Sequence, residues 1–162
     1  MTDQQTAPAS SDTQPYELLV IGAGPAGLVA ARDAVAAGVR VALVESHHIG
    51  GNCLHEGCIP SKTILRSARL IADMCNASEF GVSAVPDFQA DFSVVMARMR
   101  HIRDRILRVD SAQRLRDEGI EFFVGHARFV GVDAVEVGGE RLQFKKALIA
   151  TGARPLLPDI EG

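Results

Sequence analysis

Two thiols separated by four residues, Cys53 and Cys58, stand in the run Gly50-Gly51-Asn52-Cys53-Leu54-His55-Glu56-Gly57-Cys58-Ile59-Pro60-Ser61-Lys62. Beside a helix start, that is the layout of a dithiol that cycles with its disulfide. Pro60 suits a first helical turn, where its missing N–H costs nothing, and Ile59, Ile64, Leu65, Ala68, Ile71 and Ala72 continue at helical spacing. Cys58 then lies near a helix N-terminus, where free backbone N–H groups and the helix dipole favour a thiolate. The expectation is a thiolate at Cys58, a freer sulfur at Cys53, and tight backbone turns at Gly50, Gly51 and Gly57. Lys62 falls one helical turn after Cys58.

A second chemistry is written upstream. Glu17-Leu18-Leu19-Val20-Ile21 reads as a short buried strand entering the glycine turn Gly22-Ala23-Gly24-Pro25-Ala26-Gly27. Leu28 to Ala37 reads as an Ala-rich helix closed by Gly38, and Val39 to Val44 as a second strand ending in Glu45. Strand, glycine turn, helix and strand with a terminal acid make the context a dinucleotide fingerprint requires. Gly22 permits the tight turn, Gly24 admits a pyrophosphate to the helix N-terminus, Gly27 allows close helix–strand packing, and Glu45 accepts hydrogen bonds from both ribose hydroxyls.

The remaining elements must hold these two motifs in place. Asp91 to Glu118 reads as one long helix whose stripe is Val95, Met99, Ile102, Ile106 and Val109. Ile120 to Val124, Ala127 to Val130, Ala134 to Val137 and Arg141 to Phe144 read as strands, with Gly138-Gly139 as a hairpin turn. The fold class is therefore α/β: a Rossmann-like parallel sheet with flanking helices and a small antiparallel β-meander inserted before the last strand. Residues 1–15 read as a flexible lead rich in Thr, Gln, Ser and Pro, and residues 16–162 as the domain.

Composition narrows the partners. The chain has 162 residues, 47% of them hydrophobic, and a formal charge of -3, which gives it a genuine core and no basic excess for nucleic acid. Arg98, Arg100, His101, Arg103, Arg105 and Arg108 read as a solvated helix face. No apolar stretch approaches the ~20 residues of a membrane span, and the N-terminus lacks a secretory pattern, so a cytoplasmic location without membrane partner is expected. Three cysteines fit a reversible pair, Cys53 and Cys58, with Cys75 left as a half-buried small hydrophobe. His47, His48, His55, Cys53 and Cys58 could be imagined around a metal, yet the spacing is wider than most zinc knuckles, so no metal site is expected. The histidines read as surface or loop residues.

The run GGNCLHEGCIPSK resembles the redox-disulfide motif of the pyridine nucleotide-disulfide oxidoreductases. One departure is Asn52, where these proteins commonly carry Thr beside the cofactor phosphate; Asn also donates a hydrogen bond. The resemblance implies that the N-terminal fingerprint, including Pro25 and Ala26, binds the ADP half of FAD, with Gly51, Asn52 and Lys62 also at the cofactor. Ala147 to Pro155 resembles the strand and turn that end the family's first FAD segment, placing Thr151 and Gly152 beside FAD. Gly125-His126-Ala127 resembles the strand that meets the adenine through its backbone, implicating Ala127.

The resemblance implies further that NAD(P)H, bound by a domain outside this chain, reduces FAD, and that the flavin reduces a Cys53–Cys58 disulfide. Cys58 would face the flavin, Cys53 would exchange with substrate, and Lys62 would approach the flavin N5 and support its reduced state. Substrates of the class are small-molecule disulfides, thiols or metal ions, and the full-length enzyme is expected to be a homodimer. Ser61 to Ile71, Asp110-Ser111 and Gly125 to Phe129 resemble mercuric-reductase-like members more than dihydrolipoamide dehydrogenases. The sequence shows no second glycine fingerprint and no C-terminal His-Glu pair, so an N-terminal FAD domain of a larger enzyme is expected. The alternatives are a non-catalytic flavin-binding or thiol module and, within the enzyme class, a dihydrolipoamide dehydrogenase.

Overall fold

The computed structural model describes residues 14–83, 89–154 and 156–160. Most of the expected N-terminal lead, and Pro155, Glu161 and Gly162 of the expected C-terminal stretch, lie outside the described residues. The chain divides into two compact units, Met1–Gly51 with Ala112–Gly162, and Asn52–Ser111.

The first unit is built on a six-stranded sheet of order β3-β2-β1-β6-β5-β4. Its strands are β1 (Tyr16–Ile21), β2 (Val41–Glu45), β3 (Glu121–Val124), β4 (Arg128–Phe129), β5 (Ala134–Val137) and β6 (Glu140–Ile149). β3, β2, β1 and the second half of β6 run parallel, and β4, β5 and the first half of β6 form the antiparallel meander. Alternation along β2 shows why the centre is apolar throughout. Val41 and Leu43 join a cluster with Leu28 and Ala31 of helix α1 (Pro25–Ala36) and Leu115 of helix α5 (Ala112–Asp117). Ala42 and Val44 join the opposite cluster with Val135, Val137, Leu142 and Phe144 of the meander. Both faces of the parallel strands are therefore covered, as such strands require.

Three expectations are corrected here. The helix after the glycine turn starts at Pro25, not Leu28, because Gly24 is extended at the N-cap and proline's fixed φ suits the first helical position. It ends at Ala36 in a Schellman motif, with Gly38 N–H bonding to Val35 O and Val39 N–H to Ala34 O. The meander does not precede a separate final strand. Arg141 to Phe144 and Ala147 to Ile149 are one ten-residue strand, β6, that pairs with β5 at its start and with β1 at its end. Gly138 and Gly139 turn the β5–β6 hairpin with φ of 59° and 90°, the positive pair that a two-residue loop demands.

The third correction concerns the long helix. It breaks at Asp110-Ser111 into α4 (Phe92–Val109) and α5, two residue types that compete locally for backbone hydrogen bonds and favour helix ends. The break coincides with the boundary between the two units. In the second unit α4 packs against α3 (Cys58–Cys75), and Arg98 donates to Thr63 O between them. Asp91 caps α4 by accepting from the backbone of Ser93 and Val94. Of the expected stripe Met99 is buried, Val95, Ile102 and Ile106 are half-buried, and Val109 is exposed. No residue of α3 is buried, and Leu65 and Leu70 are exposed.

In the first unit, Glu118 joins α1 to the end of α5, accepting from Arg32 Nε at 2.8 Å and Arg114 Nε at 3.2 Å. The hydrogen bond from Arg32 is the main reason its carboxyl is held below the usual glutamate value. A depressed folded-state pKa means the bridge stabilises fully above the unfolded value of about 4.3 and is lost as pH falls through the folded one. Melting temperatures of the parent and Glu118→Gln should therefore differ at pH 7 and converge below pH 4; a gap unchanged down to pH 3 would contradict this.

Candidate functional site

The carboxyl edge of the parallel strands gathers the first group of site residues. Register places Ile21 beside Val44 and Ile149, and Glu45 beside Val124. The ladder runs one residue further: Gly22 N–H donates to Val44 O, Ala150 N–H to Ile21 O, and Gly125 N–H to Glu45 O, each at 2.8 Å. The end of β1 is flanked by β2 on one side and β6 on the other, so the chain's route reverses there. Open α/β sheets bind ligands at such a switch point.

The three glycines of the turn have separate tasks. Gly22 has φ 107°, and a Cβ on it would strike the Ala150 carbonyl and press on Thr151 Cα. A Cβ on Gly27 would strike the Gly22 carbonyl oxygen, which is the close helix–strand approach the sequence predicts. Gly24 differs. Its φ is -75°, and the nearest atom to an added Cβ is Gly51 Cα at 3.9 Å. Protein packing therefore does not require glycine at 24, whereas a group seated on the helix N-terminus would. Pro25 occupies the first helical position and has no N–H, which leaves Ala26 and Gly27 as first-turn donors.

Gly51 completes this edge. It has φ 53°, a Cβ there would lie 3.0 Å from Gly24 Cα, and the neighbouring Gly50 N–H donates to Ala23 O at 2.8 Å. Thr151 and Gly152 follow β6 and are exposed, with Thr151 Cα against the Gly22 turn. Glu45 is half-buried, and its two carboxylate oxygens accept from Ala23 N–H at 2.7 Å and His47 N–H at 2.8 Å. The acid thus braces the glycine turn from the next strand, and each oxygen retains lone-pair capacity for a hydroxyl. Ala127 is half-buried and packs on the cluster of Tyr16 and Leu19.

The second unit carries the dithiol. Cys53 lies not on a loop but on a short helix, α2 (Gly51–His55), and Cys58 is the first residue of α3. The turn between them is held by Asn52 O, which accepts from Glu56 N–H at 2.9 Å and Gly57 N–H at 2.7 Å. Both sulfurs are free thiols, and Cys58 is exposed where Cys53 is half-buried, contrary to the expectation that Cys53 is the freer. Cys53 shares a hydrogen bond with the Cys58 side chain, which is the main cause pushing its thiol above the ordinary value. Cys58's own N–H, a free donor of the helix N-terminus, bonds Cys53 and acts the other way, as does the Lys62 ammonium. The N-terminal N–H expected to serve Cys58 thus serves its partner. Cys75, expected to be half-buried, is exposed at the end of α3.

With its thiol raised, Cys53 holds less thiolate near neutral pH, and thiolate is the reacting form. Iodoacetamide should label Cys58 before Cys53 at pH 7, and the Cys53 rate should climb as pH rises through the alkaline range. Peptide mapping that finds Cys53 labelled first at pH 7 would contradict the arrangement.

The family model for pyridine nucleotide-disulphide oxidoreductases matches residues 16–162. The chain belongs to that family. It is 36% identical over 147 residues to a dihydrolipoyl dehydrogenase of Acholeplasma laidlawii, covering 91% of this chain and 44% of that protein. It is 32% identical over 147 residues to a mercuric reductase of Lysinibacillus sphaericus, covering 91% of this chain and 27% of that protein. Among solved structures it is similar to the HOCl-induced flavoprotein disulfide reductase RclA from Escherichia coli, with a TM-score of 0.71 and 28% identity over 91% of this chain and 30% of that one. The chain thus spans less than half the length of these relatives. Family membership accounts for the pairing of a glycine fingerprint with a dithiol that the sequence carries.

Sequence reasoning missed two features of the site. The helical turn carrying Cys53 lacked any long periodic pattern, being only five residues. His47, expected to be a surface or loop residue, and His126, in the run that resembles an adenine-contacting strand, stand edge to face with ring centroids 5.5 Å apart.

Proposed function

We propose that this chain is the FAD-binding part of an NAD(P)H-dependent disulfide oxidoreductase whose redox dithiol is Cys53 and Cys58. The carrying observation is the glycine turn. Gly22 and Gly27 are filled by the protein's own backbone, while Gly24 leaves open space at the start of a twelve-residue helix. A pyrophosphate bound there would meet the Ala26 and Gly27 N–H groups, with Glu45 on a ribose, Ala127 at the base through its backbone, and Gly51, Thr151 and Gly152 along the cofactor. Covalent geometry supports joining this cradle to the dithiol: one residue, Asn52, separates Gly51 from Cys53, so their Cα atoms lie within about 7.6 Å.

Bound FAD would supply a two-electron carrier between a nicotinamide, held by a domain outside this chain, and the dithiol. The chain's own residues do the rest. Cys58, exposed at its helix start, is the thiol assigned to the flavin, and Cys53 the one that exchanges with a substrate disulfide or thiol. Asn52 and Lys62 complete the cofactor contacts, Lys62 adding positive charge that favours thiolate at Cys53. The substrate class is a small-molecule disulfide, thiol or metal ion, and the complete enzyme is a homodimer.

Gly24→Ala tests the cradle, because neither its backbone angle nor its neighbours oppose a methyl group. The variant should melt with the parent yet lose affinity for FAD by at least about tenfold, read by quenching of flavin fluorescence. Equal FAD affinity in the two proteins would overturn this assignment.

A further inference from the structure

His47 stands two residues beyond the end of β2 and His126 two beyond the end of β3, and the register pairs those ends, Glu45 with Val124. Adjacent parallel strands, about 4.8 Å apart, therefore deliver two imidazoles to one place. Their ring centroids lie 5.5 Å apart with planes at 88°, and both residues are exposed. The backbone beneath them is fixed by Glu45, whose carboxylate accepts from His47 N–H and whose carbonyl accepts from Gly125 N–H. His47 Nδ1 also shares a 2.7 Å hydrogen bond with Ser46 Oγ. With Nδ1 as the donor, Nε2 keeps its lone pair and the ring is held in orientation, which is how a metal-ligating histidine is set.

The spacing of the rings suits a shared ion. A divalent cation about 2.1 Å from one nitrogen of each ring lies about 3.2 Å from each ring centroid, and a tetrahedral angle between the two bonds sets the centroids about 5.2 Å apart. The observed separation is only slightly wider. The terminal torsion of histidine is broad, so the exposed His126 ring can aim a nitrogen at the ion without a backbone shift. We propose that His47 and His126 chelate a borderline divalent transition-metal ion such as zinc. No group of three or more histidine, cysteine or carboxylate side chains is placed to hold a metal among the described residues, so the protein supplies two ligands and water completes the shell. Imidazole prefers such ions to magnesium and calcium, which take oxygen ligands. His126 immediately precedes Ala127, the residue set at the nucleotide base above, so an ion on the pair closes the outer end of the cradle to FAD. The metal site stands without the nucleotide reading; the exclusion of FAD rests on it.

The test titrates zinc(II) into the full 162-residue chain carrying Cys53→Ser, Cys58→Ser and Cys75→Ser, so that no sulfur competes as ligand. Calorimetry should find one zinc site with a dissociation constant on the order of 10 μM, and no binding of magnesium. His47→Ala and His126→Ala in that chain should each weaken zinc binding by about tenfold or more. His101→Ala, which removes an exposed histidine of α4, should leave it unchanged. Zinc affinity that survives both substitutions of the pair, or that falls equally in His101→Ala, would overturn the site. Saturating zinc should also weaken FAD binding by about tenfold or more, and His126→Ala should remove that effect. FAD affinity indifferent to bound zinc would overturn the exclusion, whereas failure of the zinc-free chain to bind FAD would overturn the nucleotide reading and leave the metal site to the titration.

Discussion

Serine at either Cys53 or Cys58 is expected to end reversible disulfide formation in this chain. With oxidised glutathione, one thiolate attacks and releases a glutathione thiolate, and the second cysteine then displaces the other glutathione, leaving an internal disulfide and two reduced glutathiones. That second step is intramolecular between side chains that already share a hydrogen bond. Its effective concentration should make it faster than release by an outside thiol by at least about a hundredfold. A Cys53→Ser or Cys58→Ser chain stops at the mixed disulfide, so mass spectrometry should find one bound glutathione at the remaining sulfur where the parent shows only a two-hydrogen loss. Cys75 is exposed and is replaced by serine in all three proteins, so that the count reports the pair alone. Rapid loss of glutathione from a single-cysteine variant would contradict the dithiol assignment.

Gly27→Val should have the larger effect on the fold. The branched side chain would begin where the Gly22 carbonyl oxygen already lies, with Val20 Cγ1 3.2 Å from the Cβ position, and because the obstructing atoms of Gly22 are backbone no cheap shift relieves the clash. Moving α1 away from β1 would open the cluster of Val20, Leu28, Ala31 and Leu43. A loss above about 4 kcal/mol is expected, at the exceptional end for single substitutions, and the chain should lose flavin binding together with cooperative melting. Gly38→Ala is the control: its φ is 79° but nothing lies near an added Cβ, so it should cost only the left-handed strain of about 1–2 kcal/mol. A folded Gly27→Val chain that holds FAD would mean the helix does not need its close seat on β1.

These contrasts show what the sequence made legible. The Gly22 to Gly27 turn, Glu45 at the end of β2 and Cys58 at the head of α3 follow from spacing alone, because each is fixed by a local rule of turn, strand end or helix start. The split of the 91–118 helix was hidden because Asp110 and Ser111 interrupt no apolar period; only their capping chemistry marks the break. The continuity of β6 was hidden for a related reason. Its ten residues change partner from antiparallel β5 to parallel β1, and pairing direction leaves no trace in a single strand's pattern. The meeting of His47 with His126 depends on register between strands that are distant in sequence, which residue order does not encode locally.

The exposure of the two sulfurs is another such case. A helix start predicts donors near Cys58, yet which sulfur receives the N–H depends on how the turn through Glu56 and Gly57 folds back, and Asn52 O decides that.

The visible spectrum of the FAD-loaded chain, recorded anaerobically before and after reduction by dithiothreitol, tests the central claim most directly. A long-wavelength charge-transfer band that appears on reduction, and is absent from Cys58→Ser but kept in Cys53→Ser, is the predicted result, since it requires a Cys58 thiolate against the flavin. A bound-flavin spectrum unchanged by reduction, or a band that survives in Cys58→Ser, would contradict the joining of this cradle to this dithiol.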